Sequence, residues 1–133
     1  MQAGREIKFQ AWDQDAKQMW TWEDILIGET AGIISFIAML QQDQFIKRQF
    51  TGLHDKNGKE VYEGDVVRVL PWLVENQDAF TATIVWETGS FVLDKKMGGW
   101  IGYPIAILPS TATAYELEVI GNIYENPELL QVG

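Results

Sequence analysis

Apolar and polar positions alternate along most of this chain with a period of two, the signature of half-buried strands. Ile7-Lys-Phe-Gln-Ala-Trp12 places Ile7, Phe9 and Ala11 on one face, and Gln18-Met-Trp-Thr-Trp22 resumes an extended aromatic pattern after the polar break Asp13–Lys17. Together they predict an N-terminal hairpin. Strand patterns return at Phe45–Thr51, Val66–Leu70, Thr81–Trp86, Ser90–Asp94 and Glu116–Tyr124. Val66–Leu70 has apolar residues at nearly every position, which predicts a central strand, and Pro71 closes it because proline cannot donate to a ladder. Leu73–Phe80, Lys95–Gly99 and Pro109–Thr113 read as loops, and Trp100–Leu108, broken by Gly102 and Pro104, as an edge segment.

One stretch has the helical period instead. Ile33, Phe36, Ile37 and Leu40 fall at i, i+3, i+4 and i+7, predicting a helix over Thr30–Gln42 with Thr30 as its cap and Met39 in its core stripe. Its β-prone isoleucines leave a buried strand as the rival reading, and length favours the helix. A short terminal helix is predicted after Asn126-Pro127, with Asn as cap and Pro at the first position.

The turns between strands are the most specific part of the pattern. Asn57-Gly58 is a two-residue hairpin signal, because a type I′ turn needs positive φ at both central positions. Lys56 and Lys59 would flank it and set Leu53 opposite Tyr62. Gly64, within Glu63-Gly-Asp65, marks a second tight reversal or bulge. Many short strands joined by glycine-bearing turns predict a mainly β fold, a small curled barrel or roll of short antiparallel strands with one or two short helices. The length of 133 residues fits a single domain, 1–133.

Composition narrows the function classes. A hydrophobic fraction of 47% with 12% aromatic residues is that of a folded domain, and no cysteine is present to form disulfides or thiolate metal sites. The net charge of −9 disfavours nucleic acid as a partner. The longest apolar run, Ala31–Leu40, is about half of the ~20 residues a membrane-crossing helix needs. The first residues lack the apolar stretch of a signal peptide, so a cytoplasmic location and no membrane partner are expected.

Catalytic and metal chemistry find little purchase. Asp55-Lys-Asn-Gly58 lacks calcium-loop spacing, because the glycine arrives at position 4 and Lys59 occupies position 5. Asp13, Asp15, Glu23 and Asp24 read as solvated turn carboxylates, and His54, the single histidine, reads as a strand residue with no further ligands for zinc. Glu60, Glu63 and Asp65 have no spacing that controls an acid–base pair. The chain is therefore expected to be no enzyme and to need no cofactor. The minority reading is a small barrel that binds single-stranded nucleic acid through Lys47, Arg48 and Arg68, with Trp72 and Trp86 as stacking platforms and Lys56 and Lys59 in support. The competing account of these cations is local pairing with Asp55, Glu60, Glu63 and Asp65. A third reading treats the acidic surface as a decoy for a basic enzyme.

Three segments, Ile7–Asp13, Gln49–Val67 and Glu118–Leu130, make the chain resemble the YopX-like family, proteins encoded by phages and prophages. The likeness in the middle segment is carried by Thr51, Gly52, Leu53, Asn57, Gly58, Tyr62, Gly64 and Asp65, all assigned structural roles in turns and strands. Stretches 23–44 and 70–80 depart from the family's pattern. The resemblance implies a β-rich intracellular phage protein that forms a homo-oligomer, and it transfers no catalytic residue. The combined expectation is a non-enzymatic, self-associating accessory protein that contacts a host or phage protein. Six tryptophans add to it, since aromatic residues are enriched at subunit contacts.

Overall fold

The computed structural model describes residues 6–71, 80–87, 90–94 and 115–130. The expectations for Trp72, for the Leu73 loop up to residue 79 and for the segments across 95–113 lie outside the described residues. The fold is mainly β, as its alternation predicts, with two antiparallel sheets, one of them curled into a half-barrel, and two short helices. The strands are β1 (Phe9–Asp13), β2 (Gln18–Trp20), β3 (Phe45–His54), β4 (Glu60–Tyr62), β5 (Asp65–Pro71), β6 (Phe80–Glu87), β7 (Ser90–Asp94) and β8 (Tyr115–Asn122). The helices are α1 (Trp22–Thr30) and α2 (Phe36–Gln41). One sheet has the order β2-β1-β3-β4, the other β7-β6-β5-β8. The chain divides into two compact units, residues 1–50 and 51–133, and β3 begins in the first and ends in the second.

In the first unit, β1 pairs antiparallel with β2 and with the start of β3, with Ala11 opposite both Trp20 and Lys47. The expected hairpin forms because Asp13 Oδ1 accepts the Asp15 and Ala16 N–H groups at 3.0 and 3.1 Å, tightening the turn. Strand β2 stops at Trp20, and Trp22 opens α1 instead of continuing the extended run. A capping box explains the switch. Thr21 Oγ1 accepts from the Asp24 N–H at 3.1 Å, and the Asp24 carboxylate accepts from the Thr21 N–H at 3.0 Å.

The helix expected over Thr30–Gln42 is corrected to the shorter α2, Phe36–Gln41, and α1, Trp22–Thr30, lies ahead of the expected span. Gly32 at φ 74 stops α1, while Ile33 and Ile34 both donate backbone N–H groups to the Gly28 carbonyl. The chain turns through 31–35, and Ser35, in place of Thr30, caps α2 by accepting from the Ala38 N–H. The break rotates the predicted stripe apart. Met39 is buried and Phe36 half-buried, but Ile33 and Ile37 are 74% and 68% exposed. The core of this unit is Ala11, Ile25 and Met39, packed by Trp20, Trp22, Ile34, Phe36 and Phe45. Phe9, Trp22 and Phe36 meet ring to ring at centroid distances of 5.5–6.4 Å.

In the second unit, β5 lies between β6 and β8, the central position its apolar run predicts. Val67 faces Ala82 on one side and Val119 on the other, and Val69 faces Phe80 and Leu117. These residues join Val61, Ile84, Phe91 and Leu93 in one core cluster with Leu53 against it. Val66, on the opposite face of β5, is also fully buried. The register between β5 and β8 shifts between Val66 and Val67, where Gly121 and Val119 are the partners, leaving Ile120 as the extra residue of a bulge.

Two turn expectations are revised. Among the described residues Lys17 alone combines a side chain with positive φ, so Asn57 is not left-handed and the turn is not type I′. Gly58 at φ 85 donates to the Asp55 carbonyl, and the Asp55 N–H donates to the Lys59 carbonyl at 2.7 Å. That is a three-residue loop with a glycine bulge. Asp55, not Lys56, meets Lys59, which shifts the pairing by one residue from the predicted Leu53–Tyr62 register. After Asn126, residues Pro127–Leu130 form a 3-10 turn, and the Asn126 side chain accepts from the Asn122 N–H at 3.2 Å instead of capping forward.

Gly58 and Gly64 have nearly the same φ, 85° and 87°, but different surroundings. A Cβ on Gly58 would meet nothing within 4 Å, whereas one on Gly64 would lie 2.9 Å from the Tyr124 ring. Gly58→Ala is expected to cost about 1–2 kcal/mol for the left-handed backbone alone. Gly64→Ala adds overpacking of about 1–3 kcal/mol. Thermal unfolding of the two variants checks this, and equal losses would remove the crowding argument.

Candidate functional site

The motif-rich hairpin and the end of β8 come together through one carboxylate. Asp55 is buried, and its Oδ1 accepts the N–H groups of Asn57 and Lys59 at 2.8 and 2.9 Å. Its Oδ2 accepts the Val119 N–H at 2.9 Å, across 64 residues of sequence. Next to it, the Lys56 N–H donates to the Leu117 carbonyl at 2.9 Å. The hairpin tip therefore occupies backbone groups of β8, which ends its own sheet. Burial alone would push the Asp55 carboxyl up. The Val119, Lys59 and Asn57 N–H groups and the Lys59 charge outweigh that, and the group sits below its ordinary value of 3.8.

The neighbouring motif residues are bonded in the same way. Thr51 Oγ1 donates to the Val61 carbonyl at 2.8 Å and accepts from the Leu53 N–H. Asp65, 2% exposed, accepts the Tyr62 N–H at 2.7 Å and holds the turn that carries Gly64. Gly64 donates to the Ile84 carbonyl and accepts from the Ile123 N–H, so this turn residue extends both ladders of β5. At the end of β8, Asn122 Oδ1 accepts from the Tyr124 and Glu125 N–H groups, and its amide donates to the Glu125 carboxylate. Gly121 has no room for a side chain, because a Cβ would lie 2.6 Å from Asn126 Oδ1. Most of these bonds serve backbone or turn geometry.

Within each unit, the described residues considered for nucleic-acid or metal chemistry have separate surroundings. Arg48 is buried with Nε donating to the Gln10 side chain at 2.9 Å, and Lys47 Nζ donates to the Phe45 carbonyl at 2.9 Å. Arg68 is exposed on β5, with Thr81 and Glu118 as strand partners. Trp86 is 52% exposed and meets Phe91 edge-on at 4.8 Å. Strand alternation puts Trp86 on the same face as Ala82 and Ile84, opposite to the face carrying Arg68. Lys56, Lys59 and His54 are exposed around the hairpin tip. Asp13 and Asp24 are engaged in their turn and cap, and among the described residues no group of three or more acidic or histidine side chains is arranged to hold a metal.

A different surface stands out. Leu26 and Ile27 on α1, Ile33 in the following turn, and Ile37 and Leu40 on α2 are exposed by 46%, 66%, 74%, 68% and 38%. Sequence reasoning missed it because it assigned Ile33, Ile37 and Leu40 to a buried stripe. The Thr21-x-x-Asp24 cap was the available signal for α1.

These features define a class: a small mainly β protein whose motif residues build turns and strand edges, with an aliphatic surface on a short helical pair. The family model described as YopX protein matches residues 8–131, and the chain belongs to that family. Its structure is similar to protein EF1440 from Enterococcus faecalis, at 23% identity over 96% of this chain and 99% of that one, with a TM-score of 0.59. It is also similar to protein yopX from Bacillus subtilis, at 18% identity over 92% and 97% of the two chains, with a TM-score of 0.55. At these identities the likeness to both solved structures is one of fold. No curated protein matches the chain.

Asp55→Asn replaces charge-assisted acceptance by a neutral amide and leaves backbone donors poorly matched, an expected loss of about 1.5–3 kcal/mol near neutral pH. Because its folded pKa lies below 3.8, the unfolded chain binds more protons in the window between the two values, so this stability rises with pH. The gap between wild type and variant is expected to be full above pH 3.8 and to close as pH falls through the lower folded value. Chemical denaturation of both proteins across that range checks the sign, and a gap independent of pH would exclude the charged clasp.

Proposed function

We propose that this YopX-family chain is a non-enzymatic protein-interaction module, encoded by a phage or prophage and acting in the bacterial cytoplasm. The observation that carries the reading is the aliphatic surface of Leu26, Ile27, Ile33, Ile37 and Leu40. Exposed aliphatic side chains are unfavourable in water by about 25 cal/mol per Å², and five of them between Leu26 and Leu40 fit a surface that another molecule covers. The motif carboxylates support the non-enzymatic half of the proposal. Asp55 and Asp65 hold backbone N–H groups, which leaves those oxygens committed to the fold.

Self-association has weaker support than the tryptophan count gave it. Trp12 is buried, and Trp20 and Trp22 pack against the core of the first unit. Trp86 is the exposed tryptophan among the described residues. The nucleic-acid alternative loses Arg48 to the interior and separates Arg68 from Trp86, so it is not carried further.

The double variant Ile27→Asn/Ile37→Asn tests the reading. Both positions are exposed, so unfolding is expected to change by no more than about 0.5 kcal/mol per site. Affinity capture from lysogenic cells is expected to retain a stoichiometric partner on the wild-type protein and to lose it on the variant. Identical capture by both proteins would remove this surface from the function.

A further inference from the structure

The segment that carries the exposed aliphatics has charges of one sign. Between Lys17 and Lys47 the sequence contains no Lys or Arg, while Glu23, Asp24, Glu29 and Asp43 all lie in that interval and are exposed. Helix α1 has no basic residue in its last turn, so Glu29 adds to the negative end of the helix dipole beside Ile33. Helix α2 carries no charge at all. Lys47 reaches the end of α2, where its Nζ donates to the Gln42 and Phe45 carbonyls. On both helices the buried residues, Ile25 and Gly28 on α1 and Met39 on α2, point into the first unit, and the exposed aliphatics occupy the remaining faces.

We propose that the occupant of this surface is a basic amphipathic helix of another protein. Its aliphatic stripe would cover Leu26, Ile27, Ile33, Ile37 and Leu40, and its Lys or Arg flanks would meet Glu23, Glu29 and Asp43. The inference rests on the interaction reading above and narrows it by charge. A second copy of the chain would bring two acidic segments against each other, which electrostatic complementarity disfavours. Nucleic acid and anionic lipid are repelled for the same reason. Helix-in-groove recognition of basic amphipathic segments by acidic, apolar surfaces supplies both terms at once.

Fluorescence anisotropy with a labelled helical peptide of leucine on one face and lysine on the other tests this on the intact protein. Saturable binding that weakens with salt is expected, with affinity at least about tenfold lower for Ile27→Asn/Ile37→Asn, which keeps every charge. Glu23→Gln/Glu29→Gln is expected to weaken it several-fold, and the matching leucine–glutamate peptide is expected not to bind. Equal affinity for the Ile27→Asn/Ile37→Asn variant would reduce the effect to general counter-charge and overturn the proposal. Equal binding of the glutamate peptide, or no binding at about 100 μM peptide, would overturn it too. So would concentration-dependent dimerisation of the wild-type protein that the isoleucine variant loses, which assigns the surface to a second copy. A variant-sensitive partner captured from cells together with a failed lysine peptide would sink this inference and leave the broader interaction reading intact. Failure of both experiments would sink the two together.

Discussion

One buried carboxylate ties the motif hairpin to the final strand, and the second unit depends on that tie. Asp55 takes two N–H groups from its own turn and a third from Val119 on β8. An open strand edge presents unpaired donors and acceptors, and natural sheets cover or blunt them. Here the cover is a turn, which brings the Lys56 N–H to the Leu117 carbonyl beside the Asp55 bond. Charge-assisted acceptance suits this task, because one carboxylate has lone pairs enough for a loop and a strand simultaneously.

The glycines around this tie do steric work of two kinds. Gly64 takes a left-handed backbone conformation under the Tyr124 ring, and its N–H and carbonyl serve β6 and the chain just after β8. Gly121 sits where Asn126 and Leu129 fold back over the strand. Turn chemistry and close backbone approach at these glycines are requirements of shape.

The strands were legible because alternation is local: β5, β6, β7 and β8 each appear in the sequence within a residue or two of their ends. The hairpin at Asn57-Gly58 was legible as a reversal, but its type was not. The deciding group is the Asp55 side chain, whose bond to the Lys59 N–H favours a three-residue loop, and dipeptide statistics do not contain it. The helical region was misread for a similar reason. Periodicity over 33–40 is genuine, yet Gly32 and the bonds of Ile33 and Ile34 to Gly28 end one helix and Ser35 starts another. The sequence around Asp55 offers only a loop without calcium-binding spacing. The carboxylate's actual partner, Val119, lies 64 residues away, beyond what any local pattern reports.

The place of β5 between β6 and β8 has a consequence for how the chain is made. As residues leave the ribosome in order, β5, β6 and β7 can assemble while β8 is still to come, since β8 is the last strand of the sheet in sequence. Through that interval the nascent sheet offers an apolar strand, Val66, Val67 and Val69, with one side unpaired. Such an edge is the usual starting point for misassembly between incomplete polypeptides. The arrival of β8, latched through Val119 by Asp55, pairs that edge.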